Sequence, residues 1–176
     1  MTEDFANEAL QIHQKLKDFE NNLALKAKSL KILILGDYKD NLHLLEKIRD
    51  KLISGGYPTF LLKDLKNGVA ICDYDAALIL TEECDLIFLL DGENIGTGIE
   101  CGIIMKSKHL QEKTIFLTSC SFDELCNIEN PFFNYPLYDY HDTTHDDIIK
   151  KAEGLIRKEA YRRAKIYIEG QKSIKI

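Results

Sequence analysis

No two of the five cysteines, Cys72, Cys84, Cys101, Cys120 and Cys126, are spaced as a CxxC pair. The absence excludes the usual thiolate zinc knuckles and dithiol redox motifs, and an odd number of cysteines without a secretory leader pattern points to a reduced, cytoplasmic protein. Apolar runs such as 86–90 and 115–117 fall far short of the ~20 residues needed to cross a bilayer, so no membrane partner is expected. A basic excess is missing as well. With a net charge of −6, the chain has no general attraction for DNA or RNA. Gly36 follows an apolar run without the later glycines of a dinucleotide fingerprint, and no GxxxxGK[ST] run occurs, which argues against a classical NAD reductase or P-loop ATPase. Internal repeats and low-complexity linkers are absent too, and 176 residues suit one domain with a sizeable core.

What is present is an alternation of helical and strand-like segments. Residues 2–29 carry Phe5, Ile12 and Phe19 on one spacing of seven and Ala9, Leu16 and Leu23 on another, the pattern of an amphipathic helix. Such a helix must bury its apolar face on its own domain or on a neighbour, and a homo-oligomer is expected. Residues 31–38 read as a buried parallel strand, 40–55 as a helix ending at Gly55-Gly56, and 57–62 as a second strand. A mostly helical crossover over 67–84, a strand over 86–90, a helix over 97–108 and a strand over 114–118 follow, with a weakly marked fifth strand at 135–138 and a closing helix over 144–170. The pattern predicts a flavodoxin-like (Rossmann-like) three-layer α/β/α sandwich with a parallel sheet of four or five strands and an added N-terminal helix. The expected divisions are an N-terminal amphipathic helix over 1–30, an α/β core over 31–141 and a C-terminal helix over 142–176 packed on that core.

The most informative segment is Asp91-Gly92-Glu93-Asn94-Ile95-Gly96-Thr97-Gly98-Ile99-Glu100-Cys101-Gly102, directly after an apolar strand. Open parallel sheets bind ligands at the carboxyl ends of their strands, and a glycine-rich turn there admits a substrate close to the backbone. Gly96 and Gly98 would supply tight turns, Thr97 lies between them, and Gly102 would let the next helix approach another backbone. Glu100 is then either a helix N-terminal acid or a nucleophile or general base facing a ligand. As a nucleophile it would be kept ionised by the helix N-terminus, offsetting part of its desolvation. Gly36, Asp37 and Tyr38 follow the first strand at the same sheet edge, where Tyr38 would stack on a base or lie in a solvated loop.

The run Glu83-Cys84-Asp85-Leu86-Ile87-Phe88-Leu89-Leu90-Asp91-Gly92, continued through Gly96–Gly102 and by Lys113-Thr114-Ile115-Phe116-Leu117, resembles the nucleoside 2-deoxyribosyltransferase superfamily, which includes the 2'-deoxynucleoside 5'-phosphate N-hydrolases. The resemblance spans about 31–118. It implies a flavodoxin-like sheet, an oligomer, a nucleoside or nucleotide as the small-molecule partner, and cleavage of the bond between a base and C1' of a sugar, without cofactor or metal. It also implies that Glu100 is the nucleophile, that Asp91 or Asp85 matches acids around the third strand, and that Asp75, or else Asp73, holds the sugar and assists the leaving base. Asn94 stands where phosphate-selective members tend to carry serine, which leaves a 5'-phosphate requirement open. Glycosidic cleavage develops positive charge on the sugar and negative charge on the base, so a carboxylate under C1' and a donor near the base are the chemical requirements. The competing expectations are a catalytically inactive nucleotide-binding or regulatory module and an NAD-directed glycohydrolase.

His141 and His145 are four residues apart, but the intervening Asp142 and a helix start at Thr144 read as a local cap rather than a metal site. Arg157, Lys158, Arg162, Arg163 and Lys165 read as a solvated helix face.

Overall fold

The structure, a computed structural model, describes residues 3–65, 72–90, 95–118, 137–139 and 144–173. Four apolar runs and one short segment form a five-stranded sheet: β1 (Ile32–Leu35), β2 (Thr59–Leu61), β3 (Leu86–Leu90), β4 (Thr114–Thr118) and β5 (Leu137–Asp139). Every pairing is parallel and the order is β2-β1-β3-β4-β5. Leu33 stands opposite Phe60 on one side and Ile87 on the other, which places β1 and β3 side by side. All residues of β1 and β3 are buried. Strands covered on both faces read as continuous apolar runs, and this is why ILIL and LIFLL show no alternation.

Alternate residues of these strands feed two cores. Ile32, Ile34, Leu86, Phe88 and Leu90 pack with Leu45, Ile48 and Leu52 of α2 (Leu42–Ser54) and with Ile148, Ala152 and Ile156 of α7 (His145–Ser173). Leu33, Leu35, Ile87 and Leu89 face the opposite layer. There they meet Ala76 and Ala77 of α4 (Asp73–Glu83), Ile103 and Ile104 of α5 (Ile95–Met105) and Leu110 of α6 (Lys108–Glu112). The result is the flavodoxin-like three-layer sandwich that the strand and helix pattern predicts, with β1 and β3 meeting where the crossovers pass to opposite faces, the point at which such sheets open a ligand crevice.

Local chemistry sets the element ends. Helix α2 begins two residues later than the periodicity suggests, because Asp37 Oδ1 accepts from the N–H groups of Lys39 and Asp40 at 2.9 and 3.2 Å and holds a turn. It stops at Gly55-Gly56, where Gly56 takes φ +86°. The short α3 (Leu62–Leu65) is held by Asp64, which receives the Arg49 guanidinium through both oxygens and the Leu61 N–H. Cys72 caps α4 and Thr144 caps α7, where its hydroxyl accepts from the Asp147 N–H. At the other end of α4, the Lys113 ammonium donates to the carbonyls of Glu82 and Cys84. The N-terminal helix α1 (Glu3–Lys28) packs its last turns, through Leu23 and Ala27, into the same core as Ala160 and Ala164 of α7, and Leu30 just beyond it joins them.

One expectation changes. Helix α5 starts at Ile95, so Gly96 and Gly98 lie inside a helix and form no turn. Nor does Gly102 permit a close approach: a Cβ built at Gly98 or Gly102 meets nothing within 4 Å among the described residues. Packing of Ile103 and Ile104 on the sheet, rather than intrinsic propensity, holds the three glycines in a helix.

Candidate active site

Leaving β1, the chain turns at Gly36, whose φ is +150° and whose missing Cβ would lie 2.8 Å from the Leu90 carbonyl oxygen at the end of β3. Only glycine tolerates both conditions. Its N–H therefore points across the gap between β1 and β3 and donates to Glu100 Oε2 at 2.9 Å. Tyr38 follows, with its hydroxyl donating to Ile34 O and accepting from Leu62 N–H, each at 3.0 Å. Burial first, and the nearby Glu100 charge second, push the Tyr38 phenol well above its ordinary value. Neither a solvated loop nor a free stacking ring describes this residue, because its hydroxyl ties β1 to the start of α3.

Glu100 is buried for a reason that its helix makes plain. Thr97, Glu100, Ile103 and Ile104 are spaced by three, three and one, which puts them on one face of α5, and all four are buried. An acid thus occupies a core-facing position of an otherwise apolar stripe and is only 5% exposed. Burial pushes its carboxyl up to about 8, the Gly36 N–H opposes the shift, and the charges of Asp73 and Asp37 add to it. The expectation of a glutamate held by a helix N-terminus changes: Glu100 sits beyond the first turn of α5, where the helix end acts weakly, and the group that favours its charge is the Gly36 N–H.

A cavity of about 600 Å³ opens over this face, within the range of small-molecule sites. Gly36, Asp37, Tyr38, Thr97 and Glu100 line it, so β1 and α5 bring five of the residues singled out from sequence to one place. Asp37 is buried beside Glu100's helix. The Thr97 hydroxyl is buried without a hydrogen-bond partner among the described residues, an orphan that a bound polar group would satisfy. Leu62, Ala77 and Ile99 give the cavity apolar walls, with Tyr74, Lys39 and Lys63 also on its lining; Lys63 is ion-paired with Glu46.

The acid that α4 brings to the cavity is Asp73, not Asp75. Asp75 is exposed and engaged with its own helix cap, its Oδ2 accepting from the Cys72 thiol at 3.0 Å and its N–H donating to that sulfur. Asp73 is the first residue of the helix, and only a cap position assigned to Cys72 would have singled it out in the sequence. Asp85 is remote from the site: it receives the Lys31 N–H at 2.8 Å, at the amino end of the sheet. Asp91 lies outside the described residues, as does His141. Gly96 and Gly98 belong to α5, and Gly98 is not among the residues that line the cavity. Among the described residues no three His, Cys, Asp or Glu side chains group as metal ligands. No helix of the described residues is long and apolar enough to cross a membrane. Arg162 and Arg163 both pair with Glu159, and Arg157 with Glu153.

No protein-family model matches the chain, and no curated protein matches it significantly. Among solved structures, a ribose 5-phosphate isomerase from Thermotoga maritima aligns at 20% identity over 71% of this chain and 98% of its own, with a TM-score of 0.31. At that score the likeness carries no argument about fold or activity.

Proposed function

We propose that the chain breaks or exchanges the N-glycosidic bond of a nucleoside or nucleoside monophosphate, as its resemblance to nucleoside 2-deoxyribosyltransferases implies, with Glu100 as the attacking carboxylate. One observation carries the reading: a glutamate buried at the switch point of the sheet, bonded to Gly36 N–H, in a cavity of about 600 Å³ that also holds Asp37, Asp73 and an orphan Thr97 hydroxyl. A buried acid with no cationic partner among the described residues costs stability, and such a cost is commonly met where chemistry requires the group.

In the proposed reaction Glu100 gives up its proton and one carboxylate oxygen attacks C1' of the sugar. The C1'–N bond breaks with its electron pair leaving on the base, which takes up a proton. Water then attacks C1' and displaces the Glu100 carboxylate, which takes the proton the water loses and completes hydrolysis; a second base attacking in place of water, and losing its N–H proton in the same way, completes a transfer. Positive charge developing at C1' favours the ionised glutamate, so the low-polarity site strengthens the interaction as the transition state forms. Asp73 and Asp37 supply acceptors for sugar hydroxyls, Thr97 a hydroxyl that meets substrate, and Tyr74, Ile99 and Ala77 a surface against which a planar base rests.

A second reading has its own support. A carboxyl raised to about 8 is mostly protonated at neutral pH and suits a hydrogen-bonding acid in a nucleotide-binding module without turnover. The two separate in one experiment. Nucleosides, deoxynucleoside monophosphates and NAD are incubated with wild type and Glu100→Gln, and free base and exchanged base are measured. Base release lost in the variant supports the hydrolase, exchange lost in the variant the transferase, and release from NAD alone a glycohydrolase of that cofactor. Full activity in Glu100→Gln refutes the role of Glu100, and binding of panel members without turnover supports the module.

A further inference from the structure

A second cavity, of about 610 Å³, opens at the amino end of the sheet, beside Asp85. The five residues of β3 separate it from the Glu100 cavity, roughly 17 Å of strand. Its walls come from the end of α1, from α6 and from the second half of α7.

Three cations and two carboxylates line it, and burial sorts them. Asp85 and Glu112 are exposed: Asp85 accepts from the Lys31 N–H, and Glu112 lies 3.9 Å from the Lys108 ammonium. Water and salt screen charges so placed. Arg162 is also exposed, as a solvated helix face requires, but the Arg163 side chain is only 23% exposed. Lys26 is half-buried with its ammonium 3.7 Å from the centre of the Tyr167 ring, and no carboxylate pairs with it among the described residues. Lys113, near Arg163, is buried and donates to two carbonyls. A single carboxylate, Glu159, serves both Arg162 and Arg163. The charge held out of water is therefore positive, with Lys26, Lys113 and Arg163 set against Glu159. Burial accordingly pulls both Arg163 and Lys113 below their ordinary pKa values.

Hydrogen bonding marks the same place. Two buried side-chain atoms lack a hydrogen-bond partner among the described residues: Thr97 Oγ1, whose residue lines the first cavity, and Arg163 Nε, whose residue lines the second. Arg163 Nη2 donates to the Glu112 carbonyl, but its Nε–H, although 3.0 Å from Glu159 Oε1, is not aimed at that oxygen. A desolvated guanidinium with a spare donor is one acceptor short. Leu30 and the exposed Ile166 give the lining an apolar side as well.

We propose that this cavity is a second binding site, for a small organic oxyanion: a carboxylate or phosphate monoester whose charge lies between Lys26 and Arg163 and whose apolar body rests on Leu30 and Ile166. Because it opens at the other end of the strands, its ligand does not compete with one bound at Glu100.

The test is a titration of the full chain with phenyl phosphate, benzoate, inorganic phosphate and phenol, followed by two-dimensional proton–nitrogen NMR. Phenyl phosphate or benzoate is expected to shift the amides of Lys26, Arg163 and Tyr167 saturably and to leave those of Gly36 and Thr97 in place. Whichever binds tighter names the headgroup, and either upholds the site. Lys26→Met keeps the aliphatic stem over Tyr167 and should weaken binding at least fivefold. Arg163→Lys keeps the charge without the Nε–H and should weaken it too, the rest of the spectrum showing that each variant is folded. No saturable shift with either aromatic anion overturns the proposal. Phenol binding as tightly as the anions overturns the choice of an oxyanion, and inorganic phosphate binding as tightly as phenyl phosphate, an adventitious ion only, overturns the organic ligand. Undiminished affinity in both variants overturns the roles of Lys26 and Arg163.

Discussion

Replacing Glu100 by Gln tests the physics of the cavity independently of any substrate. The amide keeps the shape of the side chain and its oxygen can still accept from Gly36 N–H, now at 2.9 Å, but it cannot ionise. In the wild type the folded-state value of about 8 lies above the 4.5 of a free glutamate. Below pH ~4.5 both folded and unfolded chains hold the proton, and Glu100 adds no pH dependence. Between 4.5 and 8 the unfolded chain releases its proton while the folded one keeps it, so stability falls as pH rises; above 8 the loss is complete. At ~1.4 kcal/mol per unit, a shift of that size is worth roughly 5 kcal/mol, an upper figure because a cavity open to water relaxes around a charge. Urea unfolding of both proteins at pH 5, 7 and 9 should show the stability of Glu100→Gln relative to wild type growing with pH, by at least ~2 kcal/mol across the series. A constant offset of the two curves, or a variant that loses ground as pH rises, would refute the reasoning that burial dominates this carboxyl.

Other outcomes follow from the same geometry. If Glu100 must be ionised to attack, kcat/KM for base release should climb with pH to a plateau above about 8, and a profile already flat from pH 5 would show that free-enzyme ionisation does not limit it. Asp73→Asn should lower turnover and, by removing a neighbouring negative charge, move the pH profile toward acid, whereas Asp75→Asn should do neither. Tyr38→Phe removes the hydroxyl that joins Ile34 O and Leu62 N–H and should cost ~1–3 kcal/mol in denaturant unfolding. Gly36→Ala places a methyl group against the Leu90 carbonyl; strain of ~1–3 kcal/mol and a lower activity are expected, and a neutral result in both assays would mean the turn relaxes without displacing the N–H.

The sheet was readable because strands buried on both faces must be apolar throughout, and 32–35 and 86–90 have no competing pattern. The edge strand β5 was less so, since three residues carry little periodicity. At the site, Glu100, Thr97, Gly36, Asp37 and Tyr38 were picked out by their position after strands and do share a cavity. Their local conformations were not legible. Glycines at 96 and 98 look like a turn in sequence, and only packing of Ile103 and Ile104 on the sheet settles them as helix. The choice of Asp73 over Asp75 depended on helix phase, which shifts by about 100° with each residue and so cannot be fixed by an approximate start. The pKa of Glu100 depended on which face of α5 turned inward, for the same reason.

The stripe Thr97, Glu100, Ile103 and Ile104 bears on which insertions and deletions the chain can tolerate. Glu100 is aimed by its phase on α5, set by the two seated isoleucines that follow it. One residue added between Glu100 and Ile103 would swing the carboxyl about 100° around the helix axis while Ile103 and Ile104 stayed seated, sending the acid toward solvent. One residue added ahead of Ile95 would leave that phase untouched. Natural length variation in relatives of this chain should therefore accumulate before α5 and be purged within it.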